Sequence, residues 1–300
     1  MEAVDKKTYK EGLASAIGCS VWWGIMPLYW NLLKPIGSDA IIFYRIVLVA
    51  IVCLIAAALK YSKEEIMGPL RDKKTLFRFI LCGVIITVNW SIYIWAVNAG
   101  YVIQTCIGYY IEPLIVCLFG LIIFKEPLNK YKKIALLFAA AGVAAVIVYF
   151  KEIPLVSVSI AVTFAVYAAM KKGLNKPPIL SLLYETVFLA PIAVIVIIFL
   201  EVKGQGAIAE ASGFKYFLLM FCGLFTAFPM TLFANAANKV SLFMLGLSEY
   251  ISPTISLFIG IYILKEDFEQ IQLIAFAIIW VGLVFFSYGE YKELKNHRSV

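Results

Sequence analysis

Long apolar stretches punctuated by short polar connections dominate the chain. Ten of them can be drawn, at roughly 12–33, 38–60, 76–97, 102–124, 134–150, 154–171, 179–200, 215–237, 241–264 and 271–289. A helix crossing the hydrocarbon layer needs about 20 mostly apolar residues, so the pattern predicts ten spanning helices in an all-α polytopic membrane protein. The first stretch is too long and too aromatic, and lacks a small-residue cleavage site, to read as a removed signal peptide.

The pattern also repeats. Gly108 to Phe124 is an apolar run with Glu112 and Pro113 side by side inside it, followed by Lys125-Glu126. At an offset of 140 residues, Tyr110-Ile111-Glu112-Pro113 becomes Tyr250-Ile251-Ser252-Pro253, Gly120 becomes Gly260, Lys125-Glu126 becomes Lys265-Glu266 and Gly142 becomes Gly282. Between Tyr110 and Gly142, 11 of 33 positions are identical to their partners. The offset extends backwards through Cys82-Gly83 with Cys222-Gly223, Ala96 with Ala236 and Asn98 with Asn238. A constant offset over some sixty residues predicts two homologous halves, 1–150 and 151–300, with five helices each.

Composition agrees with the pattern: 63% of residues are hydrophobic and 15% charged. The net charge of +7 is spread over short connections, which argues against a nucleic-acid surface. With the N-terminus in the cytoplasm, 20 of the 26 Lys and Arg residues fall on the inner side and 5 on the outer, leaving Arg45 within a helix. The positive-inside rule then predicts cytoplasmic termini in the inner, cytoplasmic membrane. Five helices is an odd number, so the second half enters the membrane upside down. An inverted repeat of this kind suits alternating access around a site near the midplane.

Charges inside a spanning helix cost around 2.5–3.5 kcal/mol on insertion scales, so those present need a reason. Four stand out: Arg45, Glu112, Glu185 and Glu249. Arg45 and Glu185 are 140 apart and hence equivalent; each reads either as a snorkelling or ion-paired structural charge or as a ligand contact. Glu112 precedes Pro113, and Glu249 lies four before Pro253 on a stripe of Gly246, Glu249, Pro253, Ser256 and Gly260. The prolines break the backbone ladder locally. Both glutamates read as carboxyls facing a cavity, for a cation or a proton, against the alternative of neutral acids hydrogen-bonded between helices. Trp90, Tyr109 and Tyr250 are the aromatic candidates for stacking, and Asn89 and Asn98 for orienting a ligand or satisfying broken backbone. Asn235 and Asn238 belong to the same class, whereas Lys125-Glu126 and Lys265-Glu266 read as interfacial helix-end charges.

Six cysteines lie in apolar segments without CxxC spacing, and the only histidine, His297, lies in the polar tail. No metal site or cofactor is expected. The chain also has no GxxxxGK[ST], HExxH or GxSxG with a partner histidine, which argues against ATP-driven pumping by this chain and against common hydrolases.

Several motifs carry a resemblance. Trp23-Gly24-Ile25-x-Pro27, Arg45, Asn89-Trp90, Ile94-Trp95-Ala96-Val97-Asn98, Gly108-Tyr109-x-Ile111-x-Pro113-Leu114, Glu185-Thr186 with Pro191, and Tyr250-Ile251-x-Pro253-Thr254 resemble the RarD-type permeases. These belong to the EamA family of the drug/metabolite transporter superfamily. The resemblance covers nearly the whole chain and implies ten helices in two inverted EamA-type repeats, both termini inside, and export of small metabolites or drugs. The chain departs from the family where Gln104 replaces a common glutamate, Glu112 an asparagine, Tyr44 a histidine and Glu249 a glutamine. Two added acids favour a cationic or zwitterionic ligand, or proton coupling. The expected partners are a small-molecule substrate (an amino acid, another metabolite or a drug-like molecule), the proton as coupling ion, and the lipid bilayer around a monomer or homodimer. The rival readings are a passive channel or facilitator and a non-transporting membrane sensor or scaffold.

Overall fold

The computed structural model describes residues 6–99, 102–151, 155–265 and 269–296, and among them there is no strand. The helices are α1 (Lys6–Leu32), α2 (Ser38–Lys60), α3 (Lys63–Arg71), α4 (Lys73–Asn98), α5 (Val102–Ile122), α6 (Lys130–Phe150) and α7 (Leu155–Leu174). Then come α8 (Pro178–Val187), α9 (Ala190–Val202), α10 (Ala207–Glu210), α11 (Gly213–Met220), α12 (Cys222–Lys239), α13 (Leu242–Glu249), α14 (Ile251–Phe258), a π-helical stretch (Ile259–Leu264) and α15 (Gln270–Asn296). Seven segments are each long and apolar enough to cross a membrane, and α8 with α9 forms an eighth that is bent by 50°. The shorter apolar α5 and the aromatic-rich α1 complete the ten expected segments.

One of the ten is sharply bent and two more are interrupted at a single residue. Pro191 sits in the first turn of α9, where its missing N–H interrupts the ladder from α8. Segment 215–237 divides at Phe221 into α11 and α12. Segment 241–264 divides at Tyr250, three residues before Pro253. Between α2 and α4 the hydropathy pattern predicts only a polar connection. The structure builds α3 there, begun by Ser62, whose hydroxyl accepts from the Glu65 backbone N–H while the Glu65 carboxylate accepts from the Ser62 N–H.

Packing follows the two-fold logic of the repeat. The equivalent elements are α1 and α7, α2 and α8–α9, α4 and α11–α12, α5 and α13–α14, and α6 and α15. Contacts come in matched pairs: α5 packs on α7 as α13 and α14 pack on α1, while α4 packs on α7 as α12 packs on α1. Three contacts are self-paired, namely α2 with α8–α9, α5 with α13, and α6 with α15. Each half is therefore completed by the other. Repeat-related glycines allow the closest approaches: a Cβ on Gly83 would collide with the Glu185 carbonyl, and one on Gly223 with the Leu48 backbone. Gly142 and Gly282 stand in the same relation across the α6–α15 crossing. Apolar side chains such as Leu59, Val148, Leu155 and Val202 stay exposed on the outside of the bundle, where lipid covers them in a membrane protein.

Candidate functional site

The pseudo-symmetry axis can be located from side chains. Tyr110 and Tyr250 are repeat equivalents, and the Tyr250 hydroxyl donates to the Tyr110 carbonyl at 3.0 Å with both rings buried. Equivalent residues touch only beside the axis, so α5 and α13–α14 cross there. The crossing is tight because Gly246 lies against the Pro113 carbonyl and the Cys117 backbone N–H.

Glu112 and Glu249 flank this crossing, one from each repeat. Their positions are related by the same offset, for Glu249 is equivalent to Tyr109 and Glu112 to Ser252. Each helix thus offers a pair of residues one turn apart, Tyr109 and Glu112 on α5 and Glu249 and Ser252 across the break on the other. Glu249 is 4% exposed, and neither of its carboxyl oxygens has a hydrogen-bond partner. It lies within electrostatic reach of Glu112 and of the Cys19 and Cys117 thiols, and no cation pairs with it among the described residues. Most buried polar groups find a partner, so a buried carboxyl with none at a helix crossing makes Glu249 the first candidate site residue. Pro113 and Pro253 sit one and four residues beyond these acids; the ring at 253 leaves the Glu249 carbonyl without its helical donor. Within the stripe, the Ser256 hydroxyl donates to the Gly24 carbonyl at 3.1 Å, joining this helix to α1.

Arg45 occupies a second place. Its guanidinium stacks over Trp90 at 3.7 Å and lies 5.7 Å from the Trp30 ring. Its Nε is buried without an acceptor, and no described carboxylate pairs with it. Tyr109 lies within electrostatic reach of this cation. Because Tyr109 is one turn from Glu112, it links the arginine to the carboxyl pair, and its own ring stands 5.9 Å from Tyr93.

Other expected site residues turn inward to structural work. Glu185 is 1% exposed and fully engaged: the Lys171 ammonium lies 2.6 Å from Oε1, the Ser181 hydroxyl donates to the same oxygen at 2.8 Å, and the Tyr167 hydroxyl donates to Oε2 at 3.1 Å. Asn89 donates to the Ile160 carbonyl at 2.7 Å and the Thr163 hydroxyl at 2.9 Å, joining α4 to α7. Asn235 donates to Ser15 and Asn238 to the Lys176 carbonyl. The side chains of Asn98 and Gln104 lie outside the described residues.

Two structural participants do not follow from the sequence pattern. Lys171, the last residue of the predicted segment 154–171, is buried inside the bundle on Glu185. Glu126, taken as an interfacial charge, accepts from the Leu242 and Phe243 backbone N–H groups at 2.6 and 2.8 Å, capping α13, with Lys172 at 3.8 Å. A cavity of about 240 Å³ lies elsewhere, between α2, α8 and α12, bordered by Lys60, Tyr61, Thr231 and Asn235. It shares no residue with the carboxyl pair or with Arg45.

Comparison with known proteins matches this architecture. The model of the EamA-like transporter family fits the chain twice, over residues 10–148 and 153–288. The chain is 34% identical to the Bacillus subtilis (strain 168) "Uncharacterized transporter YojE", covering 97% of this chain and 98% of that one. It is 31% identical to "Protein RarD" of Streptomyces exfoliatus, over 97% and 92% of the two chains. A solved crystal structure superposes with a TM-score of 0.72 at 15% identity, covering 91% of this chain and 96% of the other, which supports the fold. Two inverted five-helix repeats, spanning helices and the double family match lead to one conclusion: this chain belongs to the EamA-like transporter family of multi-pass membrane transporters.

Proposed function

We propose that the protein is a secondary carrier that exports small organic molecules across the cytoplasmic membrane by alternating access, with protons as the coupling ion and both termini in the cytoplasm. The observation that carries this reading is the buried, unpartnered Glu249 carboxyl beside Glu112 at the pseudo-symmetry axis. A carboxyl in an apolar bundle is stable as a neutral acid or with a cation bound, and an ionised pair without a partner is not. Exchange between those two conditions is what couples a proton to a cationic group. Arg45, stacked between Trp90 and Trp30 with an idle Nε, supplies the opposite end, a place for a carboxylate. Tyr109 and Trp90 provide faces for a flat or aliphatic body between them.

The substrate class that fits is a zwitterion or a small cation bearing an apolar part, such as an amino acid or an amine. Glu185 and Asn89 are excluded from ligand contact in this reading, since their polar atoms are already committed to the fold. Tyr250 and the prolines shape the crossing. No catalytic step is involved.

Counterflow in proteoliposomes tests the reading. Vesicles loaded with one of a panel of amino acids, neutral metabolites, amines and chloramphenicol are diluted into trace labelled solute. Accelerated, saturable exchange of a zwitterion or amine is expected. Non-saturating flux without exchange would instead establish a channel, and the carrier reading would be withdrawn.

A further inference from the structure

The stretch from Lys60 to Arg78 carries six cations, Lys60, Lys63, Arg71, Lys73, Lys74 and Arg78, against three acids, Glu64, Glu65 and Asp72. Among the described residues none of the six forms an ion pair. The acids are differently placed. Glu65 closes the cap at Ser62, and Asp72 accepts from Thr75 and from the Lys74 N–H. These hydrogen bonds hold both carboxyls below the usual carboxylate range, so they act as helix starts with their oxygens occupied.

The same stretch exposes apolar side chains. Met67 is 43% exposed, Leu70 36% and Phe77 64%. Along α3, Lys63, Met67 and Leu70 share one exposed helix face, Ile66 at its edge packs against the core, and Glu64 and Glu65 fall off that face. Lys63 therefore shares its face with Met67 and Leu70, and Arg71 flanks that face on the side of Glu64. The helix is pinned to the bundle from behind, where the Tyr184 hydroxyl donates to the Ile66 carbonyl. A short capped helix with a basic and apolar face, fixed between two spanning helices, has the form of an interfacial element.

We propose that α3 and its flanks, Lys60 to Arg78, form a binding surface for anionic phospholipid headgroups, with Met67 and Leu70 seated among the acyl-chain ends and Lys63, Arg71, Lys73 and Lys74 on the phosphates. Charge complementarity selects the occupant: several unpaired cations beside exposed apolar groups match a negatively charged leaflet, and a soluble acidic partner would leave the apolar stripe wet. This surface is independent of the carrier reading, for no residue in it belongs to the Glu112–Glu249 or Arg45 sites.

Native mass spectrometry of the full-length protein released from nanodiscs of mixed phosphatidylcholine and phosphatidylglycerol tests the assignment. Retained phosphatidylglycerol is expected to be enriched several-fold over phosphatidylcholine, and the K63Q/R71Q/K73Q/K74Q variant to bring the ratio near parity. The milder K73Q/K74Q pair gives an intermediate ratio, whereas K130Q/K133Q, basic residues outside the stretch, leaves it unchanged. Inorganic phosphate at millimolar concentration does not displace the lipid. In parallel, Leu70→Trp in the folded protein is quenched by brominated lipid and Glu64→Trp is not. Unchanged enrichment in the quadruple variant, equal loss in K130Q/K133Q, displacement by phosphate, or equal quenching at both positions would each overturn it.

Discussion

The Tyr250 hydroxyl donates to the carbonyl of Tyr110, its own equivalent 140 residues earlier, at 3.0 Å. Here the two halves differ: α5 runs unbroken through Pro113, whereas its counterpart is divided at Tyr250. Under the proposed alternating access the opposite conformation exchanges these roles, and the tyrosine bond is then a state-specific contact. Tyr250→Phe is expected to shift the balance away from the conformation described here by about fivefold, the effect of roughly 1 kcal/mol for one hydrogen bond. Alkylation rates of cysteines placed at opposite ends of the bundle measure the shift, and unchanged rates would remove the state-specific role of the bond.

Arg45 stands on Trp90 at 3.7 Å with its Nε idle, and in the proposed carrier it receives the carboxylate of the substrate. Arg45→Gln should raise the KM for a carboxylate-bearing substrate by about tenfold or more, the scale of one charge-assisted hydrogen bond. Arg45→Lys should recover only part, because an ammonium cannot stack as a planar fork on Trp90. The amide or methyl ester of the same substrate should be indifferent to both changes. An unchanged KM for the acid in Arg45→Gln, with the acid still preferred over its ester, would place the anion site elsewhere.

The Lys171–Glu185 pair is predicted to serve stability and not transport. Glu185→Gln leaves a buried ammonium without its counter-charge, at a cost of about 3–5 kcal/mol. Lys171→Met should cost a similar amount. The double variant Lys171→Met with Glu185→Leu should regain most of the loss and keep transport, as read by thermal unfolding in detergent and by counterflow. A stable double variant that cannot transport would assign the pair a functional role.

Backbone approach at the repeat-related glycines is equally testable. Gly83→Ala places a methyl against the Glu185 carbonyl, and Gly223→Ala places one against Leu48. Overpacking of this kind costs about 1–3 kcal/mol. Gly68→Ala in α3 meets nothing within 4 Å and should be neutral or slightly stabilising. Similar melting temperatures for all three would contradict the close packing of α4 on α8 and of α12 on α2.

Much of this was legible in the sequence, and the unread parts share one physical cause. The spans, the repeat and the intramembrane charges follow from hydropathy and a fixed offset, both properties of the chain alone. Glu112 and Glu249 could be singled out because charge inside an apolar run is costly wherever it ends up. Lys171 was hidden because it closes an apolar run, where a snorkelling lysine and one turned inward onto Glu185 look the same. Glu126 was hidden for a related reason: its partners are two backbone N–H groups 116 and 117 residues away, and main-chain donors leave no mark in composition. The commitment of Asn89 and Glu185 to packing likewise depends on neighbours from the other half. The repeat predicts that such neighbours exist without saying which face meets which.

The central claim is that the Glu112–Glu249 pair couples a proton to substrate movement, and counterflow and gradient-driven uptake in proteoliposomes test it most directly. With a substrate that exchanges, an imposed pH gradient should drive accumulation by the native protein. Glu249→Gln and Glu112→Gln should each keep counterflow measurable while abolishing the response to the gradient, since an amide cannot take up or release the proton. Gradient-driven accumulation that survives in both variants would contradict the claim.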